Sequence, residues 1–103
     1  MDKTAKIMRK AYYIENKTFV DDGSGHDIMC ADLGTMPVIA TSMKQGEKRY
    51  NKMIETYNNL LDYETTKEYT PEEIGVGNCI ARTDLRHKTL GHRTIISLYQ
   101  IWI

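Results

Sequence analysis

Apolar residues recur at Tyr50, Met53, Ile54, Tyr57, Leu60 and Leu61, the spacing of one face of an α-helix. They predict a helix from Ser42 to about Asp62. Its start is marked by Ser42-Met43-Lys44-Gln45, which has the form of a capping box: a serine hydroxyl and a side chain three residues on satisfy orphan backbone amides reciprocally. At 100° per residue, Lys44, Lys48 and Lys52 form a row on the side opposite the apolar stripe and point to solvent. A second, shorter helix is predicted at Thr70-Pro71-Glu72-Glu73, with a threonine cap, proline at the first position and a carboxylate at the third; Gly75 and Gly77 should stop it.

The rest of the chain reads as strands. Residues 5–14 mix β-branched, aromatic and basic side chains, and Asn16-Lys17 predicts a turn into Thr18-Phe19-Val20, a hairpin. The stretch from Asp21 to Asp27 carries two glycines and three carboxylates, so an exposed loop is expected there. Strand structure should resume near Ile28-Met29-Cys30 and, after Gly34, at Met36–Ala40. Pro37 cannot donate a ladder hydrogen bond, which assigns it to a strand start or a sheet edge. Two further strands are predicted, from Val76 to about Thr83 and from about Arg93 to Ile103, joined by the loop Asp84–His92. In the last strand both parities are apolar, with Ile96, Leu98 and Trp102 on one and Ile95, Tyr99, Ile101 and Ile103 on the other. A strand apolar on both faces is covered on both, so it should be central, under the helix on one side. The fold class follows: α+β, an antiparallel sheet of four to five strands with one principal helix packed on one face.

With 103 residues the chain fits a single domain, 1–103, around one core. No segment approaches the roughly 20 apolar residues that cross a bilayer, so no membrane span is expected. Near the N-terminus Arg9 and Lys10 interrupt any apolar run that would make a secretory signal. Cys30 and Cys79 lack CxxC spacing and read as thiols in a reducing compartment, the cytoplasm.

Charge changes the picture most. The formal net charge is zero, but it is a sum of alternating blocks: +3 over residues 1–20, −4 over 21–41, +3 over 42–54, −5 over 55–75 and +3 over 76–103. In the main helix the order opposes the helix dipole. Lys44, Lys48, Arg49 and Lys52 occupy the N-terminal half, while Glu55, Asp62 and Glu64 lie toward the other end. Each misplaced charge at a helix end costs about 0.3–1 kcal/mol, which makes an external charged partner one explanation. Mutual pairing of the blocks across the fold is the other.

Four constellations of residues offer chemistry. Lys44, Lys48 and Arg49 at the helix cap, joined by the loop carrying Arg82, Arg86, His87, Lys88 and Arg93, would cradle a phosphate-bearing ligand if the two lie at one end, although no Gly-rich phosphate fingerprint is present. A zinc site from His26, Cys30, Cys79, His87 and His92 lacks paired-knuckle spacing, and a calcium loop over Asp21–Asp32 lacks alternating carboxylates; no metal and no cofactor are expected. His87 and His92 with Arg82, Arg86 and Arg93 supply the base, acid and cation of a metal-independent ribonuclease, but two histidines on a loop are not a fixed arrangement. The acidic stretch Glu55–Glu73, with Tyr57, Tyr63 and Tyr69 interleaved, offers a surface that imitates nucleic-acid phosphates toward a basic partner.

Short length, richness in Tyr, Asn, Lys and Met, and the absence of enzyme motifs give a chain that resembles the small accessory proteins of phages and mobile elements, including anti-CRISPR and other anti-defence inhibitors. The resemblance covers overall character and no shared motif. It implies a non-enzymatic inhibitor that occludes a nucleic-acid or nucleotide site on a bacterial defence nuclease, acting in the host cytoplasm. The expected partner-binding residues are Lys44, Lys48, Arg49, Lys52, Arg82, Arg86, His87, Lys88 and Arg93. A nucleotide or nucleic-acid binding module is the alternative reading, the ribonuclease a third. The apolar ending Gln100-Ile101-Trp102-Ile103 adds a homodimer through the C-terminal strand as a further expectation.

Overall fold

A computed structural model describes the backbone of residues 9–21 and 27–102 and the side chains of 9–20 and 40–102. The chain runs β1 (Lys10–Asp21), β2 (Asp27–Ala40), α1 (Met43–Leu60), β3 (Tyr63–Glu68), α2 (Pro71–Ile74), β4 (Cys79–His87) and β5 (His92–Trp102). The five strands form one antiparallel sheet in the order β2-β1-β5-β4-β3. The α+β class, the principal helix and the central position of the terminal strand are as the sequence predicts. Pro37 sits in an edge strand, where its missing N–H costs no central ladder bond. No described helix is long and apolar enough to cross a membrane.

Three expectations need correction. Asn16-Lys17 is not a turn: β1 pairs without interruption with β5 from Lys10↔Trp102 to Val20↔His92, because the 11-residue central strand needs an equally long neighbour. The two short strands expected on either side of Gly34 are one strand, β2, whose ladder with β1 absorbs its irregularities in three register shifts and closes at Asp21↔Asp27. The connection therefore falls in residues 22–26, outside the described residues. Finally, β4 extends to His87, so Asp84, Leu85, Arg86 and His87 belong to a strand and only residues 88–91 form the turn.

The core lies between α1 and one face of the sheet. Tyr12, Ile14, Tyr63, Leu85, Ile96 and Leu98 from the strands close around Ala40 and Tyr50, with Met53, Ile54 and Tyr57 packed at its margin. Leu60 and Leu61 do not join the stripe; they are exposed, because the helix ends there and the chain turns at Asp62 with φ 66° into β3. β3 is the element that the sequence reading missed. Of its six residues only Tyr63 is buried, which leaves almost no apolar pattern to read.

At the start of α1 the Ser42 hydroxyl accepts the Gln45 N–H at 3.2 Å. The reciprocal capping box is found at the second helix, where Glu73 N–H donates to Thr70 Oγ1 and Thr70 N–H to Glu73 Oε1. Gly46 is buried because α1 comes down on Tyr12: a Cβ there would stand 3.1 Å from Tyr12 Cβ. Replacing Gly46 by leucine should therefore cost about 1–3 kcal/mol through overpacking, seen as a lower urea midpoint. An unchanged midpoint would mean that the helix does not rest on Tyr12.

Tyr50 carries a buried polar contact between helix and sheet core, its hydroxyl 2.5 Å from Thr83 Oγ1. Burial pushes the Tyr50 phenol above its ordinary value of 10.0, and the Thr83 hydrogen bond opposes that only in part. A raised folded-state value means that the contribution to stability is fully present below about pH 10 and is lost as pH rises through the raised value. Tyr50→Phe removes the hydrogen bond at neutral pH, costing about 1 kcal/mol, and also removes the alkaline loss. Urea midpoints of the two proteins should therefore converge as pH is raised; parallel curves would refute the assignment.

Candidate functional site

Strand alternation sorts the candidate residues onto two opposite surfaces. Contacts to α1 fix one side: Tyr12, Asn16, Thr83 and Tyr63 touch Gly46, Tyr57, Tyr50 and Tyr57 respectively. Side chains one residue out of phase point to the other face. These are Tyr13, Glu15, Lys17 and Phe19 of β1, Arg93, Ile95, Ser97 and Tyr99 of β5, and Arg82, Asp84 and Arg86 of β4, all in matching cross-strand register.

The nine residues expected to bind a partner accordingly do not meet. Lys44, Lys48, Arg49 and Lys52 are exposed on α1. Arg82, Arg86 and Arg93 stand on the sheet face turned away from α1. His87 is on the α1 side, edge-on to Tyr63 at 5.1 Å, and Lys88 is in the exposed turn with its N–H bonded to Asp62 O. The turn and the N-terminus of α1 are at opposite ends: Gly46 lies on Tyr12, across from Gln100, whereas the turn abuts Asp62 beyond the helix C-terminus. The cap and the loop cannot form one phosphate cradle. Instead the basic hairpin lies along the acidic segment, with Arg86 paired across from Glu64 and Asp84 from Lys67.

The ribonuclease set is split in the same way. His87 and His92 face each other at 6.2 Å on the α1 side, and the arginines that would hold a phosphoryl group are through the sheet. His87 Nδ1 accepts the N–H groups of Thr89 and Leu90 at 3.1 and 3.0 Å, so it closes the turn. Cys79 begins β4, roughly 25 Å along the strand from His87. It is a free thiol. His26, Cys30 and the Asp21–Asp32 loop fall outside the described side chains; among the described residues no three metal-ligating groups come together.

Among the described residues, the face turned away from α1 carries a network of charged and aromatic groups. Arg93 donates to Asp84 Oδ2 at 2.8 Å, and the Tyr69 hydroxyl donates to the same oxygen at 3.1 Å. Arg82 Nε donates to Ser97 Oγ at 3.1 Å, and Tyr99 donates to Glu15 Oε1 at 3.2 Å while stacking on Tyr13 with centroids 4.9 Å apart. Burial first, then the Glu15 carboxylate, raises the Tyr99 phenol above its ordinary value. Lys67 and Arg82 lie over the Tyr69 ring, and Arg93 over Phe19. At the margin Lys67 pairs with Glu73 and, with the Thr70 amide, holds that carboxyl below its usual range. Asp84 is nearly buried, yet its Oδ1 has no hydrogen-bond partner. Sequence reading singled out the three arginines but not Tyr13, Glu15, Phe19, Asp84, Ser97 or Tyr99. The alternation Tyr13-x-Glu15-x-Lys17-x-Phe19 was the available signal, hidden by the turn expected at Asn16-Lys17.

The other surface holds a groove of about 1100 Å³ beside α1. Ile14, Met53 and Tyr57 give it apolar walls, and Lys48, Arg49 and Lys52 stand along it. Asn16 lies in it, 5 % exposed, with one end of its amide bonded to the Tyr57 hydroxyl at 2.6 Å and the other without a partner.

The nine candidate residues thus divide among an α1 surface with a groove, a sheet face rich in arginine and tyrosine, and a turn. Comparison with protein-family models, curated proteins and solved structures found no match to this chain.

Proposed function

We propose that this chain is a non-enzymatic binding protein, an inhibitor of the anti-CRISPR or broader anti-defence type, that docks the sheet face turned away from α1 onto a bacterial protein and occludes a nucleic-acid or nucleotide site there. The observation that carries this reading is the internal pairing of that face. Tyrosine and arginine are the residues that dominate protein interfaces, and here Tyr13, Tyr69, Tyr99, Arg82 and Arg93 are pre-positioned by neighbours, so little side-chain freedom is lost on docking. A nucleic-acid surface would favour cations free to meet phosphates, whereas Arg93 is neutralised by Asp84. From Arg93 to Tyr99 both edges of β5 are occupied by β1 and β4, so a homodimer through the C-terminal strand would use its end beyond Tyr99 or a face of the sheet.

The test compares three proteins as affinity baits in bacterial lysate: the parent chain, Tyr13→Ala/Arg82→Ala, and Lys44→Glu/Lys52→Glu, each checked for folding by circular dichroism. The expected result is a nucleic-acid-processing protein retained by the parent and the helix variant, lost by the sheet variant, and inhibited by the parent when purified. Retention by the sheet variant, or capture of nucleic acid alone with a steep salt dependence, would exclude the reading.

A further inference from the structure

The groove beside α1 combines three features that point to one class of ligand. Its cations come first. Lys48, Arg49 and Lys52 have no ion-pair partner among the described residues, and α1 has no acidic residue in its first turn to offset them. This is the inverted charge order that the sequence displays, now lining a concavity. An anion seated there would offset both the like-charge repulsion and the unfavourable dipole interaction. Glu55, also on the lining, limits that field at its far end.

Asn16 comes second. Its side chain lies on the lining, one amide end is tied to Tyr57, and the other is closed off from solvent with no hydrogen-bond partner among the described residues. Turning the amide end over end exchanges oxygen for nitrogen but leaves one of them unpaired. A buried polar atom in that state costs about 1–3 kcal/mol until something pairs with it, and a turn of the side chain toward the groove would let a ligand with a hydrogen-bonding edge do so. The third feature is an apolar wall of Ile14, Met53 and Tyr57 beside that amide, against which a flat ring can lie. Arg49 and Tyr57 are eight residues apart on one helix, about 12 Å along its axis, so the cations and the amide address opposite ends of an elongated small molecule.

We propose that this groove binds a nucleotide, with the phosphate on Lys48, Arg49 and Lys52 and the base edge on Asn16 against Tyr57 and Met53. The site is separate from the sheet face and does not rest on the docking reading. Nucleotide occupancy would also give the inverted helix a role in binding rather than in stability alone.

Isothermal titration calorimetry tests it, with AMP, GMP, CMP and UMP as ligands and inorganic phosphate and adenosine as controls. At least one nucleotide should bind in the millimolar range or tighter, at least tenfold more tightly than phosphate or adenosine, and at least tenfold more weakly to Lys48→Ala/Lys52→Ala. A second variant separates ligand recognition from folding. Asn16→Leu/Tyr57→Phe removes both hydrogen-bonding partners at once, so its Tm should be unchanged or raised while nucleotide affinity falls at least tenfold. No heat from any nucleotide at millimolar concentration, phosphate binding as tightly as the nucleotides, or affinity unchanged in either variant would each overturn the proposal. So would a lowered Tm with affinity retained, because Asn16 would then serve the fold alone.

Discussion

Leu98→Ala is expected to cost about 2–5 kcal/mol. Leu98 is fully buried at the middle of β5, the central strand, between Ile14 of β1 and Ala81 of β4. Neither neighbouring strand can move in to fill the space, because each is pinned to β5 by its own ladder, so a cavity term adds to the lost burial. A domain of this size has about 5–15 kcal/mol in total, and Tm should fall by more than about 10 °C. Truncating Leu60, which is 77 % exposed, makes the control: the sequence places it in the same apolar stripe as Tyr50, but its loss should change stability by less than about 0.5 kcal/mol. Equal effects at the two positions would mean that the core is not where the strand order puts it.

Arg93→Met is expected to cost about 2–4 kcal/mol. It leaves the Asp84 carboxylate, 6 % exposed as a residue, without its cation and with only the Tyr69 hydroxyl on Oδ2. The loss is that of an uncompensated buried charge rather than of a favourable pair, and the two can be told apart. Adding Asp84→Leu to Arg93→Met removes the stranded charge, so the double variant should recover much of the stability lost in the single one. A double variant less stable than Arg93→Met in chemical denaturation would contradict this account of the network.

How much of this was legible in the sequence depended on where burial is one-sided. The helix could be read because Tyr50, Met53 and Tyr57 recur on one face, and β5 could be placed at the centre because Ile95 and Ile96 demand cover on opposite sides. β3 could not, since an edge strand with five exposed residues has no apolar period. Nor could the site be assembled, because it depends on register. Asp84 meets Arg93 and Tyr69 only when β4 continues through a segment rich in charge that reads as a loop, and Asn16 meets Tyr57 only when β1 continues through a pair that reads as a turn. In both places long-range pairing with β5 outweighs local turn chemistry, and single-residue patterns carry no record of that competition.

The split of the basic residues has one functional consequence. A partner gripping the lysine row cannot at the same time touch the arginines through the sheet, so docking at one surface leaves the other open. Site-specific photo-cross-linking measures which surface is used, with a benzophenone side chain introduced at position 13 on the sheet face or at position 44 on α1. The proposed mode of action predicts a cross-link from position 13 to the captured bacterial protein and none from position 44. Cross-linking from position 44 alone would contradict it and move the interface to the helix.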